Sequence, residues 1–246
     1  MRPIPYQILK SGDVVLNLGL NNALVTDVTV PSTLLLNTSI TLPLIIMVLI
    51  SQLVPHSHCH NKFYDTHSCV CVLLLTIGLS EFTTQMVKMY VGRLRPNFYE
   101  LCGFDAATLQ CAASESNIME SRSSFPSGHS SLSAAGMGVL VWFALGRANI
   151  GIGSLSMNGR KRIRNPTVST LLALLPMGWA LFVASSRLVD NWHHPSDIVA
   201  GLCIGIVCPT FVYHLYYPSI LSTQAGVPLN YIASVSESAS CEKDTL

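Results

Sequence analysis

The chain has 246 residues, half of them hydrophobic and 11% charged, and its 14 lysines and arginines against 13 acids leave a net charge of +1. That balance excludes an electrostatic binder of nucleic acid or other polyanions. The apolar content excludes an ordinary soluble domain and places the chain among membrane proteins. The expected fold class is all-α, a polytopic bundle of membrane helices.

Residues 1–34 form an N-terminal segment of their own. It holds Asp13, Asp27 and the near-alternating VVLNLGLNNALV, with neither a signal-peptide pattern nor a full span. The membrane domain follows over 35–217. About 20 apolar residues cover a hydrocarbon core of ~30 Å, and the uncharged windows 35–54, 128–146, 168–186 and 198–217 reach that length. A fifth window, 69–87, is apolar except for Glu81, and a carboxylate at that depth faces the bundle interior or a wet cavity. Residues 218–246, Ser-rich and ending in CEKDTL, read as a flexible cytosolic tail.

The connection 147–167 carries Arg147, Arg160, Lys161, Arg162 and Arg164 with no acid, which assigns it to the cytosol. Parity then gathers three polar segments on the opposite, non-cytosolic face: VKMYVGRLRP (87–96), SRSSFPSGHSS (121–131) and SSRLVDNWHHPSD (185–197). Cys102 and Cys111 lie on that same side, where an oxidising compartment allows them to pair, although sequence alone does not assign the pairing. The other six cysteines read as buried or reduced thiols. The HSHCH run at 56–60 falls on the cytosolic side with spacing that suits few zinc sites, so a solvated loop is the better reading and no metal is expected.

The three polar segments share a chemistry. Lys88 and Arg95 are seven apart, and a helix persisting to Pro96 places them on one side, ~10 Å along the axis. Arg187 adds a guanidinium suited to phosphate oxygens, and Arg93 stands beside Arg95 as a second candidate. Ser127 and Gly128 precede an apolar helix, whose free amides and dipole favour an anion; taken singly, such a pair is more often just a cap. His193 and Asp197 are four apart across a helix start that Pro195 initiates, so they share a face while His194 points elsewhere. A carboxylate on one ring nitrogen leaves the other as a nucleophile, and His129 is placed to act as general acid. Asp190 and Asn191 read as loop residues.

Lys88-x6-Arg95-Pro96, Pro126-Ser127-Gly128-His129 and Ser186-Arg187-x5-His193-x3-Asp197 resemble the three signature motifs of the type 2 phosphatidic acid phosphatase superfamily, whose membrane branch is the lipid phosphate phosphatases. The resemblance covers roughly residues 35–217. It implies a hydrolase of phosphatidic acid and related lipid phosphates, independent of metal and of any other cofactor. His193 would form a phosphohistidine, Asp197 would orient it, and His129 would protonate the leaving alkoxide. Lys88, Arg95, Ser127, Gly128 and Arg187 would cradle the phosphoryl group. The expected partners are the bilayer and a lipid phosphate, in the plasma membrane or endoplasmic reticulum, with the site on the non-cytosolic side. The family core has six spans; five are found here, so the first is lost, truncated or replaced by residues 1–30, which puts the N-terminus outside. Isoprenyl or other lipid diphosphates use the same residues and remain an alternative substrate class. A catalytically silent scaffold would be marked by loss of His193 or His129, and both are present.

Overall fold

The computed structural model describes residues 3–11, 13–53, 61–148 and 166–243. Among the described residues, five helices are long and apolar enough to cross a membrane: Ser32–Leu53, Lys62–Val91, Gly128–Ala148, Thr167–Val189 and Pro195–Tyr216. These are the five spans expected from the sequence, and the protein is a membrane helix bundle. The first span is built from α1 (Ser32–Leu36), a π-helical turn over Asn37–Thr41 and α2 (Leu42–Leu53). The others are α3 (Lys62–Val91), α6 (Gly128–Ala148), α7 (Pro166–Val189) and α8 (Pro195–Tyr216).

α3 is longer than its apolar window because its ends are set by polar signals. Asn61 caps the start by accepting from the Phe63 amide at 3.0 Å. Gly92, in the left-handed region at φ 55°, closes the end and donates its amide to the Lys88 carbonyl. The helix therefore does not persist to Pro96 as expected. Lys88 sits in its last turn, and Arg95 follows it on a loop.

α6 is the central helix. Its most apolar stretch is 78% buried against 22–33% for the other spans, and its small residues (Ser130, Ser131, Ala134, Ala135, Gly136, Gly138) let neighbours approach closely. α8 packs close against it: a methyl on Gly205 would lie 2.5 Å from the Ser131 carbonyl oxygen and 2.6 Å from the Ala134 Cβ. This contact draws the starts of α6 and α8 together, where the Ser127 amide donates to the Asp197 carbonyl at 3.0 Å.

At the opposite end of the bundle, Arg147 pairs with Asp65, which is 2% exposed, and its guanidinium lies over the Phe143 ring. Tyr213 and Tyr217 stack beside them with ring centroids 4.9 Å apart. Of the segment expected to be a flexible tail, residues 218–243 are described, and its first part packs on the bundle: Ala225 and Val227 are buried, Gly226 meets Gly146 backbone to backbone, and α9 (Leu229–Lys243) follows. The reason lies in the two glycines, whose missing side chains let the chain lie directly on the end of α6. The acid-free run Arg160, Lys161, Arg162 and Arg164, and the histidines of 56–60, lie outside the described residues.

The N-terminal segment begins with an antiparallel ladder of β1 (Tyr6–Ile8) and β2 (Val14–Leu16), with Gln7 opposite Val15. It continues through a 3-10 turn at Leu18–Leu20 and an extended stretch into α1, crossing the end of the bundle that carries the three motifs. Beside it lie α4 (Phe98–Cys102), a short ladder of β3 (Phe104–Asp105) with β4 (Gln110–Cys111), and α5 (Glu115–Ser121). Cys102 and Cys111 are disulfide-bonded, clamping α4 to that ladder.

Candidate active site

A cavity of about 350 Å³ opens where the three motifs meet, lined by Lys88, Arg95, Gly128, His129, Arg187 and His193, with Val28, Ser32, Glu120 and Trp192. Six of the eight residues expected from the sequence thus form its wall. The other two, Ser127 and Asp197, stand behind it. Ser127 is fully buried, and its hydroxyl accepts from the Ser130 hydroxyl at 3.0 Å, so it organises the first turn of α6.

The two arginines of the wall are held by neighbouring groups, some on the wall and some behind it. Arg95, 3% exposed, donates Nε to the Glu120 carbonyl at 2.8 Å, pairs with the Glu120 carboxylate and lies 4.7 Å over the Trp192 ring. Burial draws its pKa below the ordinary arginine value, and Glu120 opposes the shift. Arg187 donates to Ser186 and, at 2.8 Å, to Asp190, which stands in the turn after α7 as expected and is buried there. Lys88 reaches the start of α6, its ammonium 3.4 Å from where a Cβ on Gly128 would stand. Glycine there leaves the α6 amides open to a ligand. Arg93 is turned away from the cavity: its Nη1 donates at 2.6 Å to both Asp197 Oδ1 and Ser196 Oγ. Of the two candidates, Arg95 is the one on the wall.

The histidine pair shows one departure from expectation. His193 Nδ1 donates at 2.7 Å to the Ser124 carbonyl, while the nearest Asp197 oxygen is 3.8 Å away. Ser124 thus fixes the tautomer and leaves Nε2 unprotonated on the cavity side. Asp197 acts one step behind, taking the Ser124 hydroxyl at 2.5 Å, the His194 amide at 3.0 Å and the Arg93 guanidinium. Burial pushes the His193 pKa down to about 4, the Asp197 contact opposes it, and the Arg95 and Lys88 charges add to the lowering. Its imidazole is therefore neutral at neutral pH. His129 also lines the cavity, and its Nε2 is buried without a hydrogen-bond partner. His194 is engaged elsewhere, donating Nε2 to the Leu94 carbonyl at 3.1 Å.

Sequence reasoning missed Ser124, Glu120, Trp192 and Asp190. Ser124, Asp190 and Trp192 lie inside two of the motif segments already singled out and Glu120 directly precedes one of them, but only contacts made across the fold reveal what each one holds.

A neutral histidine, a second imidazole and three cations around one small cavity of a membrane helix bundle make a site that an anion can enter. Residues 69–220 match the PAP2 superfamily, and the chain belongs to that family. It is 29% identical over 196 residues to lipid phosphate phosphatase 2 of Arabidopsis thaliana, covering 75% of this chain and 63% of that protein. It is 32% identical over 203 residues to a PA-phosphatase related-family protein of Dictyostelium discoideum (82% and 66%) and 32% identical over 173 residues to phospholipid phosphatase 2 of Bos taurus (65% and 54%). The chain therefore spans about half to two thirds of the length of the curated relatives it matches. No solved structure matches it.

Proposed function

We propose that the protein hydrolyses the phosphate ester of phosphatidic acid and related lipid phosphates through a phosphohistidine intermediate, at the non-cytosolic face of the plasma membrane or endoplasmic reticulum. The observation that carries this reading is the histidine arrangement: His193 held by the Ser124 carbonyl at 2.7 Å, with His129 Nε2 unpartnered in the wall of the same cavity. The His193 Nε2 lone pair attacks phosphorus, the bond from phosphorus to the lipid oxygen breaks, and His129, protonated once the anionic substrate stands beside it, gives its proton to the departing alkoxide. His129 then takes a proton from water, whose oxygen attacks the phosphohistidine and releases phosphate. Lys88, Arg95, Arg187 and the α6 amides stabilise the charge on the transferring group, the part that metal ions play in many phosphoryl-transfer enzymes. Asp197, with Arg93 and Ser124, keeps the His193 loop in place.

The test is phosphate release from phosphatidic acid in detergent micelles with excess EDTA, with an isoprenyl diphosphate as a second substrate. Release that survives the chelator and His194→Ala but vanishes in His193→Ala, with an acid-labile phosphoenzyme trapped in the native protein, is the expected result. Turnover of the diphosphate alone would replace the substrate class, and folded protein active on neither would overturn the reading.

A further inference from the structure

The two arginines of the cavity are each held by a residue that the N-terminal segment holds in turn. The Thr29 amide donates to Asp190 Oδ2 at 3.0 Å and its hydroxyl to Oδ1 at 2.7 Å; the same Oδ2 accepts from Arg187 Nη2 at 2.8 Å. Trp192 donates its indole N–H to the Val25 carbonyl at 3.1 Å, and its ring lies under Arg95, which also reaches the Trp192 carbonyl at 3.3 Å. The extended stretch is fixed at both ends, by the Asn22 amide on the Pro96 carbonyl at 3.0 Å and by fully buried Val30 against Leu35, Leu132 and Val183.

From this we infer that residues 22–32 are a positioning strap of the phosphate site, Thr29 setting Arg187 through Asp190 and Val25 setting Arg95 through Trp192. The inference rests on the phosphatase reading above for its substrate and on the observed contacts for its geometry. A carboxylate with two fixed donors on one side presents its remaining lone pairs in a fixed direction, so the guanidinium that binds it is fixed too. Without the Thr29 hydroxyl, Asp190 turns, Arg187 loses its aim, and the phosphoryl oxygens lose a preformed bidentate partner. Arg187 contacts bound and reacting phosphoryl groups alike, so the loss falls on affinity more than on turnover.

The experiment uses the full chain in detergent micelles and compares Thr29→Val, Thr29→Ser and Trp192→Phe with the native protein. It measures KM and kcat for phosphatidic acid, the Kd of inorganic orthovanadate as a phosphate mimic, and the melting temperature. Thr29→Val is expected to raise KM and the orthovanadate Kd about tenfold, the scale of one hydrogen bond to a charged group, with kcat within about twofold. Thr29→Ser restores both, and Trp192→Phe, which keeps the ring under Arg95, shows a smaller rise. Unchanged KM and Kd in Thr29→Val overturn the strap, as does a loss of kcat and melting temperature shared by the serine variant, the mark of a merely structural contact. Should the native chain release phosphate from no lipid, the phosphatase reading fails, yet a weaker orthovanadate Kd in Thr29→Val still upholds the strap. A native chain that neither turns over nor binds orthovanadate overturns both.

Discussion

The bundle carries buried charge at both ends, and the two ends are put together differently. At the end away from the cavity, Arg147 and Asp65 neutralise each other between α6 and α3. At the cavity end, three pairs form, Arg93 with Asp197, Arg95 with Glu120 and Arg187 with Asp190, and Lys88 makes no ion pair among the described residues. One imidazole nitrogen, His129 Nε2, is likewise left without a partner. The first cluster is balanced in charge, although Asp65 Oδ1 and the Tyr213 and Tyr217 hydroxyls are unpartnered there just as His129 Nε2 is at the cavity; the second is one anion short. Buried charge that is already paired holds helices together, whereas an uncommitted cation beside a cavity has to be matched by something that enters it.

The largest expected effect tests the uncommitted end. His193→Ala should lower kcat for phosphate release by on the order of 10⁴ or more, because it removes the proposed nucleophile and the remaining imidazole, His129, serves the proton transfers. Next comes the paired end: Asp65→Ala leaves the Arg147 guanidinium without its carboxylate and should destabilise the protein by about 3–5 kcal/mol. Melting in detergent measures this, and KM of the folded fraction should stay within about twofold. A smaller loss belongs to Lys88→Met, expected to reduce kcat/KM about 100-fold with little change in melting temperature. If Lys88→Met unfolds the protein and Asp65→Ala alters KM, the contrast between the ends fails.

The pH dependence sharpens the same contrast. His193 has a pKa of about 4 in the fold, below the ordinary 6.5, because burial penalises its charged form. Between those values the unfolded chain binds a proton that the folded chain does not. The stability tied to the neutral ring is thus complete above about 6.5, falls as pH drops toward about 4, and changes no further below that. The nucleophile stays neutral over the same range, so the acid limb of kcat/KM assigned to His193 should lie near pH 4 and not near 6.5. The His193→Ala protein should show a flatter melting temperature between these pH values.

Much of this protein is written along the chain. Apolar windows of bilayer length gave five spans, and Lys88, Arg95, Gly128, His129, Arg187 and His193 were legible as one site because motif spacing and helix parity bring them to one face. Both signals are local: span length follows from hydrocarbon thickness, and facing follows from helical period. Contacts between segments far apart in sequence follow from neither. Only the tertiary structure decided that α3 ends at Gly92 and hands Arg95 to a loop. It also decided that the Ser124 carbonyl, and not Asp197, holds the His193 ring, that Arg93 turns away from the cavity, and that Cys102 bonds Cys111. The same holds for Thr29, which lies 161 positions from the Asp190 it bonds. A single hydroxyl in an irregular stretch leaves no periodic trace, and its partner is chosen by packing, which the order of residues does not spell out.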